Sequence, residues 1–383
     1  MKTLKLTLTR HGALCAILLA LLFTGCKKDK KTNNDPIGPD VNFFALTNDN
    51  KLLLINGRSG VTGAQITITG LQSGEELLGI DFRPASGQLY ALGSTSRLYV
   101  INLPSGAARA IGTAPFSPAI SGTSVGFDFN PTVDRIRVVT SSGQNLRLNP
   151  ETGTVAATDG SIVAGNKITS VAYSDNRAGA ATTVLFDIDA TNNKLYKQIP
   201  PNDGTLVEVG NLDVDAEEVG GFDIAPDGSA LAALTVGGQS GLYSVNLATG
   251  KAVKTGNFTS AIKGIAILTD AVTYVIDNDN ALVIFNPNTG SKIIKPITGL
   301  QSSEVVYGID ARPANGQLYI LGSSSRIYTV NASSGVATAV GTAPFSTLLS
   351  GTEFGFDFNP VVDRIRIVSN TGQNLRIHPE TGE

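Results

Sequence analysis

The chain has 383 residues, and 29 Lys and Arg stand against 32 Asp and Glu for a formal net charge of −3, which offers no basic face to nucleic acid. Its two histidines, His11 and His378, lie near opposite ends; it has no Trp, and its cysteines are Cys15 and Cys26. A Ser-His-Asp triad, a Cys-His dyad, a histidine zinc site and haem ligation therefore all lack parts between residues 43 and 377.

In chain order, the first element is MKTLKLTLTR, with Lys2, Lys5 and Arg10, followed by the apolar run GALCAILLALLF and then Thr24-Gly25-Cys26. A basic region, an apolar stretch and a small-residue cleavage site predict a secretory signal over 1–25. The run is shorter than the roughly 20 residues a spanning helix needs. FTGC resembles a bacterial lipoprotein box, which implies that Cys26 becomes a lipidated N-terminus. Loss of residues 1–25 would move the net charge from −3 to −6 and leave no thiol or disulfide in the folded part. The polar, charged segment that follows, through residue 41, predicts a flexible tether. The expected address is the cell envelope, as an outer-membrane lipoprotein facing the periplasm or the cell surface.

Beyond residue 41 the chain repeats itself at two levels. Residues 44–154 align with 274–383, and GFDFNPTVDRIRVV (126–139) recurs as GFDFNPVVDRIRIV (355–368) with 12 of 14 positions identical. Within each copy, shorter pieces start at GIDFRP (79), GFDFNP (126), VAYSDN (171) and GFDIAP (221). In the clearest piece, GIDFRP, QLYALGS, RLYVINL and AARAIG are four short runs of β-favouring residues separated by turn formers. Four antiparallel strands per piece, repeated round an axis, make the blade of a β-propeller. The first piece has three strands only, so KGIAIL (263–268) is expected to return and complete it, removing an open sheet edge. The expected fold is all-β, with five four-stranded blades over 42–268 and a truncated second unit over 269–383. The alternative is one irregular eight-bladed ring.

Taken together, GIDFRP…GQLYALGS, GFDFNPTVDRIRVV, GQNLRLNPETG, LFDIDA, PPNDGTLVEVG and GLYSVNLATG resemble the bacterial domain-of-unknown-function family numbered 4394, over one complete unit and half of another. The resemblance implies an exported protein and transfers no activity.

Polar residues of the repeated stretch are the candidate site. Side chains alternate across a strand, so Asp128 and Asn130 share a face, as do Arg135 and Arg137, and Asn145 and Arg147 on the next strand. Asp81 and Arg83 form a smaller version in the preceding blade. The expectation is an inter-blade network in which Asp accepts bonds from Arg, with ligand binding at the channel as the alternative reading. No catalytic residue and no metal site is assigned, because no two acids recur at an informative spacing. No cofactor is expected, with calcium left open by the oxygen-rich loops TNDN (47–50), DIDATNN (187–193), DVDAEE (213–218) and DNDN (277–280), none of which fits an EF-hand. Function reads as a non-enzymatic binding or scaffold module, partnered by the membrane through its lipid and by an envelope protein or glycan. The alternative is an extracellular hydrolase or lyase using channel carboxylates or a metal.

Overall fold

The computed structural model describes residues 37–61, 63–163 and 165–383. The signal, Cys26 and most of the tether lie outside the described residues. No α-helix occurs among the described residues, and the one helical turn is a 3-10 segment, Pro201–Asp203. Every sheet is antiparallel, and the hairpins turn through Asn, Asp, Ser and Gly at positive φ, as at Asn50 (54°) and Asp134 (52°).

Among the described residues, eight sheets follow one another along the chain. Sheet one contains Asn42–Thr47, Lys51–Asn56 and two short pieces, Gly60–Val61 and Ile66–Thr67. Sheet two runs Leu77–Phe82, Leu89–Gly93, Arg97–Asn102 and Ala107–Ile111, and sheet three Val125–Asn130, Arg135–Thr140, Asn145–Leu148 and Val155–Thr158. Sheet four runs Ile168–Tyr173, Leu185–Asp189, Lys194–Gln198 and Leu206–Asn211, and sheet five Glu218–Ile224, Ala230–Val236, Gln239–Val245 and Ala252–Asn257. The strand Ile262–Ile267 then returns to sheet one and pairs with Asn42–Thr47, Phe43 opposite Ile267 and Ala45 opposite Ile265. The returning strand expected at 263–268 is therefore present.

Closure follows from that pairing. The first strands of sheets two to five and the returning strand pack against one another in cyclic order: 77–82 on 125–130, 125–130 on 168–173, 168–173 on 218–224, 218–224 on 262–267, and 262–267 on 77–82. The cycle contains five sheets, not eight. Sheets six (Thr273–Ile276, Ala281–Phe285, Lys292–Pro296), seven (Val306–Ala311, Leu318–Gly322, Arg326–Val330, Ala337–Ala339) and eight (Phe354–Asn359, Arg364–Ser369, Asn374–Ile377) form a separate succession.

Burial grades outward from the axis. Inner strands such as Leu77–Phe82 are buried on both faces, whereas the outermost Val155–Thr158 alternates half-buried and exposed. Cores lie between sheets: Tyr90, Leu92 and Leu98 of sheet two pack on Phe127, Phe129 and Ile136 of sheet three, Tyr90 meeting Phe129 edge-on at 5.1 Å. At the axis the backbones approach too closely for side chains. A Cβ on Gly126 would stand 2.7 Å from the Val171 nitrogen of sheet four, a clash that no side-chain rotation relieves. Gly126→Ala is expected to destabilise the protein by about 2–3 kcal/mol. Gly256→Ala, whose Cβ would meet only Leu242 Cβ at 3.7 Å, is expected to be tolerated; urea midpoints of the two variants check the contrast.

Candidate functional site

The inner strand of sheets two, three and five carries an Asp two residues after a Gly: Gly79-Ile-Asp81, Gly126-Phe-Asp128 and Gly221-Phe-Asp223. Each reaches the backbone of the next inner strand. Asp81 Oδ1 accepts from its neighbour Phe82 N (2.7 Å) and Oδ2 from Phe129 N of sheet three (2.7 Å). Asp128 Oδ1 accepts from Tyr173 N of sheet four (2.9 Å). Asp223 Oδ1 accepts from Ile224 N (2.6 Å) and Oδ2 from Ile267 N of the returning strand (2.5 Å). Asp310 repeats the device with Ala311 N (2.8 Å) and Phe358 N (2.7 Å). These carboxylates staple sheet to sheet, in place of the Arg partners expected for Asp81 and Asp128. Near the axis the adjacent strand presents a backbone N–H to each carboxylate, and the guanidinium groups of Arg83 and Arg137 are held by Asp134, Glu151 and Asp159 instead.

The same step brings three acids together. One carboxylate oxygen from each of Asp81, Asp128 and Asp223 lies within 4.8 Å of the others, and all three residues are buried. Burial raises all three pKa values; like charge from Asp223 adds to the rise at Asp81, and from Asp81 and Asp223 at Asp128. Asp223 is pushed up to about 7, burial outweighing its bonds to Ile267 N and Ile224 N. The sequence signal was the recurrent Gly-x-Asp itself, so acids do recur at an informative position, contrary to the expectation above.

The arginines find other acids. Arg83, 1% exposed, donates from Nε to Asp134 Oδ1 (2.9 Å) and from Nη2 to Asp134 Oδ2 (2.5 Å) and Glu151 Oε1 (2.8 Å). This is a clasp between sheets two and three, since Asp134 lies in the turn before Arg135–Thr140 and Glu151 in the turn after Asn145–Leu148. Burial alone would lower the Arg83 pKa, and Asp134 and Glu151 more than reverse it. The second copy repeats the clasp, Arg312 pairing with Asp363 and with Glu380 (3.0 Å).

Arg137 joins sheets three and four. Its Nε donates to Tyr173 Oη (3.2 Å), Nη1 to Asn145 Oδ1 (2.7 Å) and Asp159 Oδ2 (2.6 Å), and Nη2 to Asn202 Oδ1 (2.8 Å). Asn145 Nδ2 in turn donates to the carbonyls of Gly160 and Pro201. Arg147 stays within its own sheet, bidentate on Asp159 at 2.8 Å through both Nε and Nη2. Asn130 caps its turn by accepting from Thr132, and Arg135 donates to the Asp134 carbonyl (2.8 Å). Of the eight residues expected in one network, Arg83, Arg137 and Asn145 thus reach across sheets by side-chain bonds to other loops, and Asp81 and Asp128 by bonds to backbone. Arg135 and Arg147 are local, and Asn130, besides capping its own turn, shares a side-chain hydrogen bond with Tyr173 of sheet four.

Two sets of residues escaped the sequence reading. Asp134 and Glu151 lay inside quoted motifs, VDR and NPETG, without being assigned. Glu75, 5% exposed, accepts from Thr95 N (2.7 Å), Thr95 Oγ1 (2.6 Å) and Tyr99 Oη (2.9 Å); Glu304 does the same with Ser324 and Tyr328. Retention of Glu, Ser or Thr, and Tyr at matching places in both copies was the available signal. In the oxygen-rich loops, Asp189 Oδ1 accepts from Thr191 N and Asn192 N, and Asp277 Oδ1 from Asp279 N and Ala281 N, the ordinary bonding of turns. Asp187, fully buried beside Arg137, has no hydrogen-bond partner among the described residues, and burial drives its pKa well up.

The cyclic order of antiparallel sheets round a narrow axis defines a β-propeller. The chain belongs to the family described as Domain of unknown function (DUF4394), whose model matches residues 51–266 and 281–383. No curated protein matches the sequence. Among solved structures, the chain is similar to the WD40 β-propeller domain of Doa1, at 14% identity over 81% of this chain and 94% of that one, with a TM-score of 0.33.

Proposed function

We propose that this protein is a cell-envelope lipoprotein, anchored through a lipid on Cys26, whose propeller serves as a non-enzymatic binding or scaffold module. One observation carries the second half of that reading: the polar residues that the sequence repeats are engaged in joining sheets. Arg83 and Arg137 are each 1% exposed, with their N–H groups bonded to acceptors on neighbouring loops. The competing reading, an acid–base enzyme, has the Asp81–Asp128–Asp223 trio in its favour, because raised carboxyl pKa values mark many catalytic sites. Against it, the three residues are each 1% exposed and accept backbone N–H bonds, which leaves a polymer no approach. Rigid sheets that present loops on a closed frame suit recognition instead.

Anchoring is tested in a bacterial host with labelled fatty acid. The full chain is expected to carry label and partition with membranes, and Cys26→Ser is expected to lose both. Label retained on Cys26→Ser would overturn the lipid assignment while leaving the reading of the propeller untouched.

A further inference from the structure

Sheets two and three and sheets seven and eight enclose a groove of about 590 Å³. Glu151 of NPETG lines one wall and its counterpart in the internal repeat, Glu380 of HPETG, the other. Both acids are already committed, Glu151 to Arg83 and Glu380 to Arg312. Arg312 also faces the groove.

Arg109 is different. It lies on Ala107–Ile111 and lines the same groove, and its side chain makes no hydrogen bond or ion pair among the described residues. The other arginines around it are all engaged: Arg83 and Arg312 with acids, Arg135 and Arg364 with the carbonyls of Asp134 and Asp363. Partial burial is the main reason that the Arg109 pKa is lowered; Tyr90 and Asp363 oppose that shift and the positive Arg312 adds to it. The charge is also not part of the chemistry that the blades share, because the matching residue of SGVATAVG in the second copy is Thr338. Thr113, Thr152, Thr329 and Tyr319 line the same groove.

We infer that this groove binds a small oxyanion-bearing polyhydroxyl molecule, an acidic sugar, with the carboxylate or phosphate on Arg109 and the hydroxyls among the threonines. A guanidinium fork matches either oxyanion by paired N–H bonds, and mixed hydroxyl side chains suit a sugar body better than an apolar ligand. The inference deepens the binding reading and does not depend on lipid anchoring, so the two fail separately.

Calorimetric titration of the chain from residue 36 onward, which forms one compact unit, with glucuronate, glucose 6-phosphate and neutral glucose tests it. At least one of the two acidic probes is expected to bind at millimolar or lower concentration, and glucose at least tenfold more weakly. Which acidic probe binds better distinguishes carboxylate from phosphate. Arg109→Thr, which copies the second repeat, is expected to weaken that binding at least tenfold with an unchanged melting temperature, and Arg109→Lys to weaken it less. No heat from either acidic probe at 10 mM (about 2.7 kcal/mol of binding free energy), or equal binding by Arg109→Thr, would overturn the inference.

Discussion

Arg83→Ala is expected to destabilise the protein by about 3–5 kcal/mol, the cost of leaving one member of a buried ion pair without its partner. Asp134, also buried, would then hold a carboxylate with no counter-charge, while Glu151, 19% exposed, can turn to water. The physical origin of the loss is the Asp134 charge, so Arg83→Met combined with Asp134→Asn, which removes that charge and tolerates the positive φ of the turn, should recover part of it. Urea unfolding of the chain from residue 36 onward gives the numbers. A loss below about 1 kcal/mol, within the range of exposed pairs, would mean that the clasp does not hold sheets two and three together. A ligand-binding role for Arg83 predicts that small loss, so the measurement separates the two roles.

A second large effect concerns pH. Burial at the axis pushes the folded pKa of Asp223 from an ordinary 3.8 up to about 7, outweighing its bonds to the backbone N–H groups of Ile267 and Ile224. A raised folded value means that the folded state keeps a proton the unfolded chain has released. Its stabilising contribution is complete below pH 3.8, falls as pH rises towards 7, and is level above that. Roughly three pH units of difference correspond to about 4 kcal/mol. Asp223→Asn keeps an acceptor for one backbone N–H and removes the titration. The stability difference, wild type minus Asp223→Asn, is therefore expected to decline by several kcal/mol between pH 4 and pH 7.5. A flat difference would show that the axial carboxyl titrates normally.

How far the site could be read from sequence is clearest in the repeated stretch. Alternation correctly put Asp128 and Arg137 on one face, and the two are opposite each other in register. What lies across that face was not legible. In sheet three it is sheet four, so Arg137 and Asn145 are buried and reach Tyr173, Asn202 and Pro201. In sheet eight the same motif has no sheet packed over it, and Asp357, Arg366 and Asn374 are exposed, although Arg366 still donates to Asn374 Oδ1 at 2.7 Å as Arg137 does to Asn145. Identical residues thus keep their intra-sheet bonds and change their burial.

The sequence alone determined the strands, the turns between them, the repeat and the returning strand at 263–268. Strands and turns depend on side-chain alternation and on residues that tolerate positive φ, visible within tens of residues, whereas the repeat and the returning strand are read by matching stretches and counting strands along the whole chain. Only the tertiary structure decided that Arg83 meets Asp134, 51 positions away, that three axial acids share one place, and that Arg109 shares a groove with Arg312 and Glu380 of the second copy. Those contacts join segments whose separation is set by ring closure, and burial then converts each meeting into a pKa shift or an ion pair. The local pattern specifies what each residue can do, and the packing of the sheets selects which partner it does it with.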